Sequence, residues 1–90
     1  MKYEKYLPMG SVVLLKDAKK RIMITGFCLE TEDGKMYDYT GCLYPEGYVS
    51  SEESLLFNHS DIGKIYCIGY SDNEEKEFKE KLKDYVKNNS

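Results

Sequence analysis

Histidine occurs once in this chain, at His59, so its own side chains cannot assemble a histidine-based metal cluster. Cysteine occurs three times, as Cys28, Cys42 and Cys67, at wide spacings and without a Cys-x-x-Cys pair. That excludes a zinc ribbon and a thioredoxin-like redox motif. All three lie in apolar, strand-like stretches, where a free thiol acts as a small hydrophobe. Buried, reduced thiols are therefore expected, and with them a cytoplasmic setting. Long hydrophobic runs are missing as well. Val12–Leu15 and Ile65–Ile68 are the longest, far short of the ~20 residues that a membrane span needs. The opening Met-Lys-Tyr-Glu-Lys-Tyr-Leu-Pro has no apolar core of the secretory type, so no signal peptide and no membrane role are expected.

Positive charge is not in excess. The net charge is −3, whereas a nucleic-acid binder needs a basic face that releases counterions. The densest basic run is Lys16, Lys19, Lys20 and Arg21, which reads as a solvated hairpin tip. The seven glycines are never grouped into a loop that could cradle phosphate. Glu46, Glu52, Glu53 and Asp61 could in principle supply paired carboxylates, but acids so placed are far more often ordinary solvated loop charges. A Cys–His nucleophile pair would need a cysteine beside His59, and spacing places none there. No enzyme, metal or cofactor is expected.

What the chain does have is enough apolar material for one core. The 41% hydrophobic content includes nine Tyr and three Phe, and 90 residues make one small domain, 1–90. Leu7-Pro8-Met9-Gly10 is a turn signal leading into the strand Ser11–Leu15. Lys16–Lys20 turns the chain into Arg21–Leu29, where Gly26 suggests a bulge. Asp33-Gly34 marks a hairpin before Met36–Tyr44. In that strand, Asp38 and Thr40 would share a solvated face opposite Tyr37, Tyr39 and Leu43. Pro45 stops it. Glu46–Glu53 reads as a loop, Leu55–His59 as a short strand or one helical turn, and Lys64–Tyr70 as the last strand.

A helix closes the chain. Ser71 with Glu74, or Asp72 with Glu75, has capping-box spacing. Phe78, Leu82, Tyr85 and Val86 form one apolar stripe. Glu75–Lys79 and Glu77–Lys81 are i,i+4 pairs in the favourable order. The expected fold is α+β: four to five antiparallel strands in a strongly curled sheet, then one amphipathic helix. Closure into a small SH3-like barrel and a flatter meander covered by the helix both fit.

Tyrosine is the enriched residue. Tyr37, Tyr39, Tyr44, Tyr48, Tyr66 and Tyr70 fall on strands or just after one, and a small sheet cannot bury them all. High β-propensity is one explanation; a tyrosine-rich protein contact face is the other. Partner-contact candidates are Tyr44, Glu46 and Tyr48 around the proline turn, with Phe57, His59 and Asp61. Turn formation alone does not demand aromatic and polar groups of this kind. For His59, a polar turn is the simpler reading.

Four boxes occur in order: Leu7–Lys16 with Met23–Gly26, then Tyr37–Gly47, then Phe57-Asn58-His59-Ser60-Asp61-Ile62, then Gly69-Tyr70. Together they resemble a small Gram-positive family encoded beside LXG toxins of the type VIIb secretion system. The likeness spans about Leu7 to Leu82. It departs at Phe27, where that family's pattern has a basic residue. It implies a cytosolic chaperone or targeting factor that holds an LXG toxin, or its helical companion proteins, before export. An immunity protein against a toxin domain, and a small peptide- or nucleic-acid-binding barrel, are the alternatives.

Overall fold

The computed structural model describes residues 6–47 and 55–88. Five strands are followed by one helix: β1 Val12–Leu15, β2 Ile22–Glu30, β3 Met36–Leu43, β4 Leu55–Phe57, β5 Ile62–Cys67 and α1 Asn73–Asn88. A 3-10 turn, His59–Asp61, joins β4 to β5. The strands form one antiparallel sheet in the order β4-β3-β2-β1-β5.

Local chemistry explains the hairpins. Asp17 and Gly34 hold positive φ at the two turn tips. At Gly34 the missing Cβ makes that conformation cheap. The register of β2 against β3 slips between Ile24 and Gly26, so the expected bulge is present. β3 ends at Leu43, ahead of a cis Tyr44–Pro45 bond. The segment read as strand or helical turn contains both, β4 and then the 3-10 turn. The last strand begins earlier than expected and stops at Cys67.

The sheet must bend. β4 and β5 lie at opposite edges, yet residues 58–61 alone connect them. In a flat sheet the outer strands would stand roughly 19 Å apart, four spacings of about 4.8 Å. A connector containing a 3-10 turn, at about 2 Å rise per residue, falls short of that. Even so, the ladder stops at β4 and β5 among the described residues, so the sheet is bent but open and no barrel closes.

One cluster of side chains makes the core. Val13, Ile22, Ile24, Tyr39, Phe57 and Leu82 are buried together with Tyr6 and Leu7. The Tyr39 ring sits centrally, 5.5 Å from Tyr6 edge-on and 5.4 Å from Phe57 in a stack. Phe27, the departure from the resembled family's pattern, lies 6.0 Å from Tyr39 and 5.7 Å from Phe78 of α1. It thereby links sheet and helix through apolar contact.

Asp72 caps α1, its carboxylate accepting the Glu75 backbone N–H at 2.9 Å; of the two candidate caps this is the one used. The Ser71 hydroxyl instead donates to the Glu75 side chain at 2.7 Å. Lys79 and Glu75 form their i,i+4 pair at 3.2 Å. Leu82 is the buried member of the apolar stripe, and Val86 packs against the core. Burying a leucine contributes roughly 1.5–3 kcal/mol, which is what docks a helix as polar as this one. No helix among the described residues is long and apolar enough to cross a membrane.

Two expectations are overturned. Asp38 is 7% exposed rather than on a solvated face, because Tyr6 and the turn after β4 cover it and supply its hydrogen bonds. Cys67 is exposed rather than buried, because it lies on the edge strand. Cys28 is half-buried and Cys42 buried, and all three thiols are free.

Candidate protein-docking surface

A buried polar knot fixes the β4–β5 corner. The Asp38 carboxylate accepts the Tyr6 hydroxyl at 3.1 Å and the His59 backbone N–H at 2.9 Å. The Asp38 N–H donates to the Asn58 side chain at 3.1 Å. The Tyr39 hydroxyl accepts the Leu7 N–H at 2.9 Å and lies 2.7 Å from His59 Nδ1. Donation by that hydroxyl to an unprotonated Nδ1 satisfies both groups. Asp61 closes the 3-10 turn, accepting the Asn58 N–H at 2.9 Å. Its backbone carbonyl accepts the Lys16 N–H at 2.8 Å, which ties the corner to the end of β1.

Burial decides the acid–base character of this knot. Desolvation pushes the Tyr39 hydroxyl up to about 12. It raises Tyr6 further still, helped by the Cys28 and Asp38 contacts. The Cys28 thiol is also raised, chiefly by burial. These groups stay protonated at neutral pH and serve as hydrogen-bonding structure.

The six residues expected to meet a partner therefore separate. Phe57 is 2% exposed and belongs to the core, stacked on Tyr39, so its ring supports the surface from beneath. His59 is half-buried on the same ring, and the Asp61 carboxylate is held within its own turn. Tyr44 and Glu46 lie in the turn that follows β3. The Arg21 guanidinium sits 5.0 Å from the Tyr44 ring centroid, and Lys20 pairs with Glu46 at 2.8 Å. That pairing holds the Glu46 carboxyl below its usual range. Tyr39, the ring on which His59 packs, is five residues from Tyr44, about 17 Å along an extended strand. The two groups do not form one patch by way of β3. Tyr48 lies outside the described residues.

The most exposed apolar surface holds Tyr66 and Tyr70 of the tyrosine-rich set together with Ile65 and Ile68, none of which is among the six partner-contact candidates. β5 pairs with β1 alone, leaving one edge without a ladder partner among the described residues. Along it and its continuation, Ile65 is 45% exposed, Tyr66 48%, Ile68 63% and Tyr70 80%. Lys64 Nζ lies 4.7 Å from the Tyr66 ring centroid. A hollow opens at each end of the strip. One is lined by Lys16, His59, Ser60, Lys64 and Ile65. The other, about 460 Å³, is lined by Met9, Phe27, Tyr70 and Phe78 with Asp72, Glu74 and Glu75. The signal available in the sequence was the continuous apolar run Ile65-Tyr66-Cys67-Ile68 with Tyr70 just after it, which a central strand covered on both faces would also show.

The family model described as domain of unknown function DUF4176 matches residues 6–78. The chain belongs to this family. The matched stretch runs from the buried Tyr6 to Phe78 in α1, and so includes the polar knot, the exposed strip and the groove at the start of the helix. Comparison with curated proteins and with solved structures finds no match.

Proposed function

We propose that this chain is a non-catalytic, protein-binding accessory factor of the cytoplasm, a chaperone or targeting factor that holds an LXG toxin before type VIIb export. The observation that carries the protein-binding part is the exposed strip Ile65, Tyr66, Ile68 and Tyr70. Clustered large apolar side chains on a small domain mark interaction sites, and an open strand edge adds unpaired backbone donors and acceptors. The Tyr44–Glu46 turn offers a second, more polar contact. The toxin-directed part rests on the four boxes and their resemblance to the family encoded beside LXG toxins.

Co-expression of the tagged chain with LXG proteins encoded beside it in the host tests the proposal. Retention of an LXG protein through its N-terminal region alone supports it. Retention through the C-terminal toxic domain alone makes the chain an immunity protein instead. Failure to retain any of them refutes both readings.

A further inference from the structure

We infer that the hollow between Met9, Tyr70 and the first turn of α1 is a receptor groove for a basic amphipathic helix. The inference deepens the docking reading above and rests on it for the biological source of that helix. The floor is apolar: Met9 is 58% exposed, Tyr70 80% and Phe78 46%, with Phe27 beneath. At about 460 Å³ the hollow falls within the size range of ligand sites.

Charge selects the occupant. The rim carries Asp72, Glu74 and Glu75, and no lysine or arginine lines the hollow. Lys79 neutralises Glu75 in part, and the Asp72 carboxylate is occupied with the cap of α1. Glu74 stands exposed at the mouth. The positive end of the α1 dipole offsets only about half a charge, so the rim stays anionic. Glu74 and Phe78 are four residues apart on α1, placing acid and apolar floor one helical turn from each other. A partner helix with a bulky apolar residue and a Lys or Arg one turn away matches that spacing, its apolar face filling the groove. An acidic helix of the same apolar pattern meets repulsion.

Two synthetic 14-residue amphipathic peptides test this. They share one leucine pattern and carry Lys or Glu at every polar position. Binding is followed by titration calorimetry and by NMR shifts of the Met9 methyl and the Tyr70 and Phe78 rings. The Lys peptide is expected to bind and to move these signals, and the Glu peptide to leave them in place. Tyr70→Ala should weaken the Lys peptide about tenfold, and Glu74→Lys should reverse the preference toward the Glu peptide. Both positions are exposed, and an unchanged thermal melt confirms that each variant folds. Equal binding of both peptides, binding of neither, or shifts confined to other residues overturns the groove assignment. An LXG protein still retained by Tyr70→Ala and Glu74→Lys at wild-type strength overturns the groove while leaving the chaperone reading in place.

Discussion

The Tyr39 hydroxyl lies 2.7 Å from Nδ1 of His59, with the two rings 5.8 Å apart, and so joins the middle of β3 to the turn between β4 and β5. Twenty residues of chain separate the pair. Through it the corner that sets the direction of β5 is anchored on the most buried aromatic ring of the core. The exposed strip follows that corner, so its presentation depends on a knot whose centre, Asp38 and Tyr39, is buried.

Asp38→Ala should be among the most destabilising single changes. It removes the acceptor of the part-buried His59 N–H and leaves the buried Tyr6 hydroxyl with only the weak Cys28 Sγ contact at 3.4 Å; a lost buried partner costs about 1–3 kcal/mol. Urea unfolding should show a loss of roughly 2–4 kcal/mol. A change under 1 kcal/mol would show that the knot is dispensable.

Stability should fall as the solution is made alkaline. The Tyr39 hydroxyl titrates near its ordinary value of 10.0 in the unfolded chain but is pushed up to about 12 in the fold, and Tyr6 is raised in the same sense. The folded state therefore binds more protons above pH 10, so the stabilisation is complete below pH 10 and is lost as pH rises toward 12. Urea midpoints at pH 8, 10 and 11 should decline. Tyr39→Phe, less stable at pH 8, should show a shallower decline.

The thiols should react in the order Cys67, Cys28, Cys42. Cys67 is exposed; Cys28 is half-buried, with its thiol raised by burial; Cys42 is 5% exposed. Thiolate fraction and access together set alkylation rate. Timed iodoacetamide labelling with peptide mass spectrometry reads the order, and Cys42 should label appreciably only in denaturant.

Gly69→Ala tests the junction between strip and groove. A Cβ there would collide with the Met9 carbonyl oxygen and lie 3.0 Å from the Ser11 nitrogen. The Gly69 N–H also donates to the Ser11 hydroxyl at 2.9 Å. The backbone must move apart, at a cost of about 1–3 kcal/mol, and the Met9 and Tyr70 NMR signals should shift with it. Gly34→Ala, at an open turn tip with φ +88, should cost less and leave those signals unmoved.

Much of this fold was legible because its signals are local. Asp33-Gly34, Gly26 and the Phe78–Leu82–Val86 stripe act within a few residues, and each marks the element it predicts. The Phe57–Ile62 box was read as a contact surface because its polar groups exceed what a turn needs. The excess is taken up by Asp38 and Tyr39, 20 to 21 residues away along the chain from Asn58 and His59, and no spacing rule reveals such pairings. The exposure of β5 was hidden for a related reason. A continuous apolar run states that a strand has faces to cover, but not whether a neighbour arrives to cover them.

The central claim is that a partner docks on the β5 strip, and one experiment measures it most directly. The Tyr66→Lys, Ile68→Lys double variant, whose folding is checked by its thermal melt, is compared with wild type and with Tyr44→Ala for retention of a co-expressed LXG protein. The account predicts that the double variant loses the complex while its melt is unchanged, and that Tyr44→Ala weakens it less. Full retention by the folded double variant would contradict the claim.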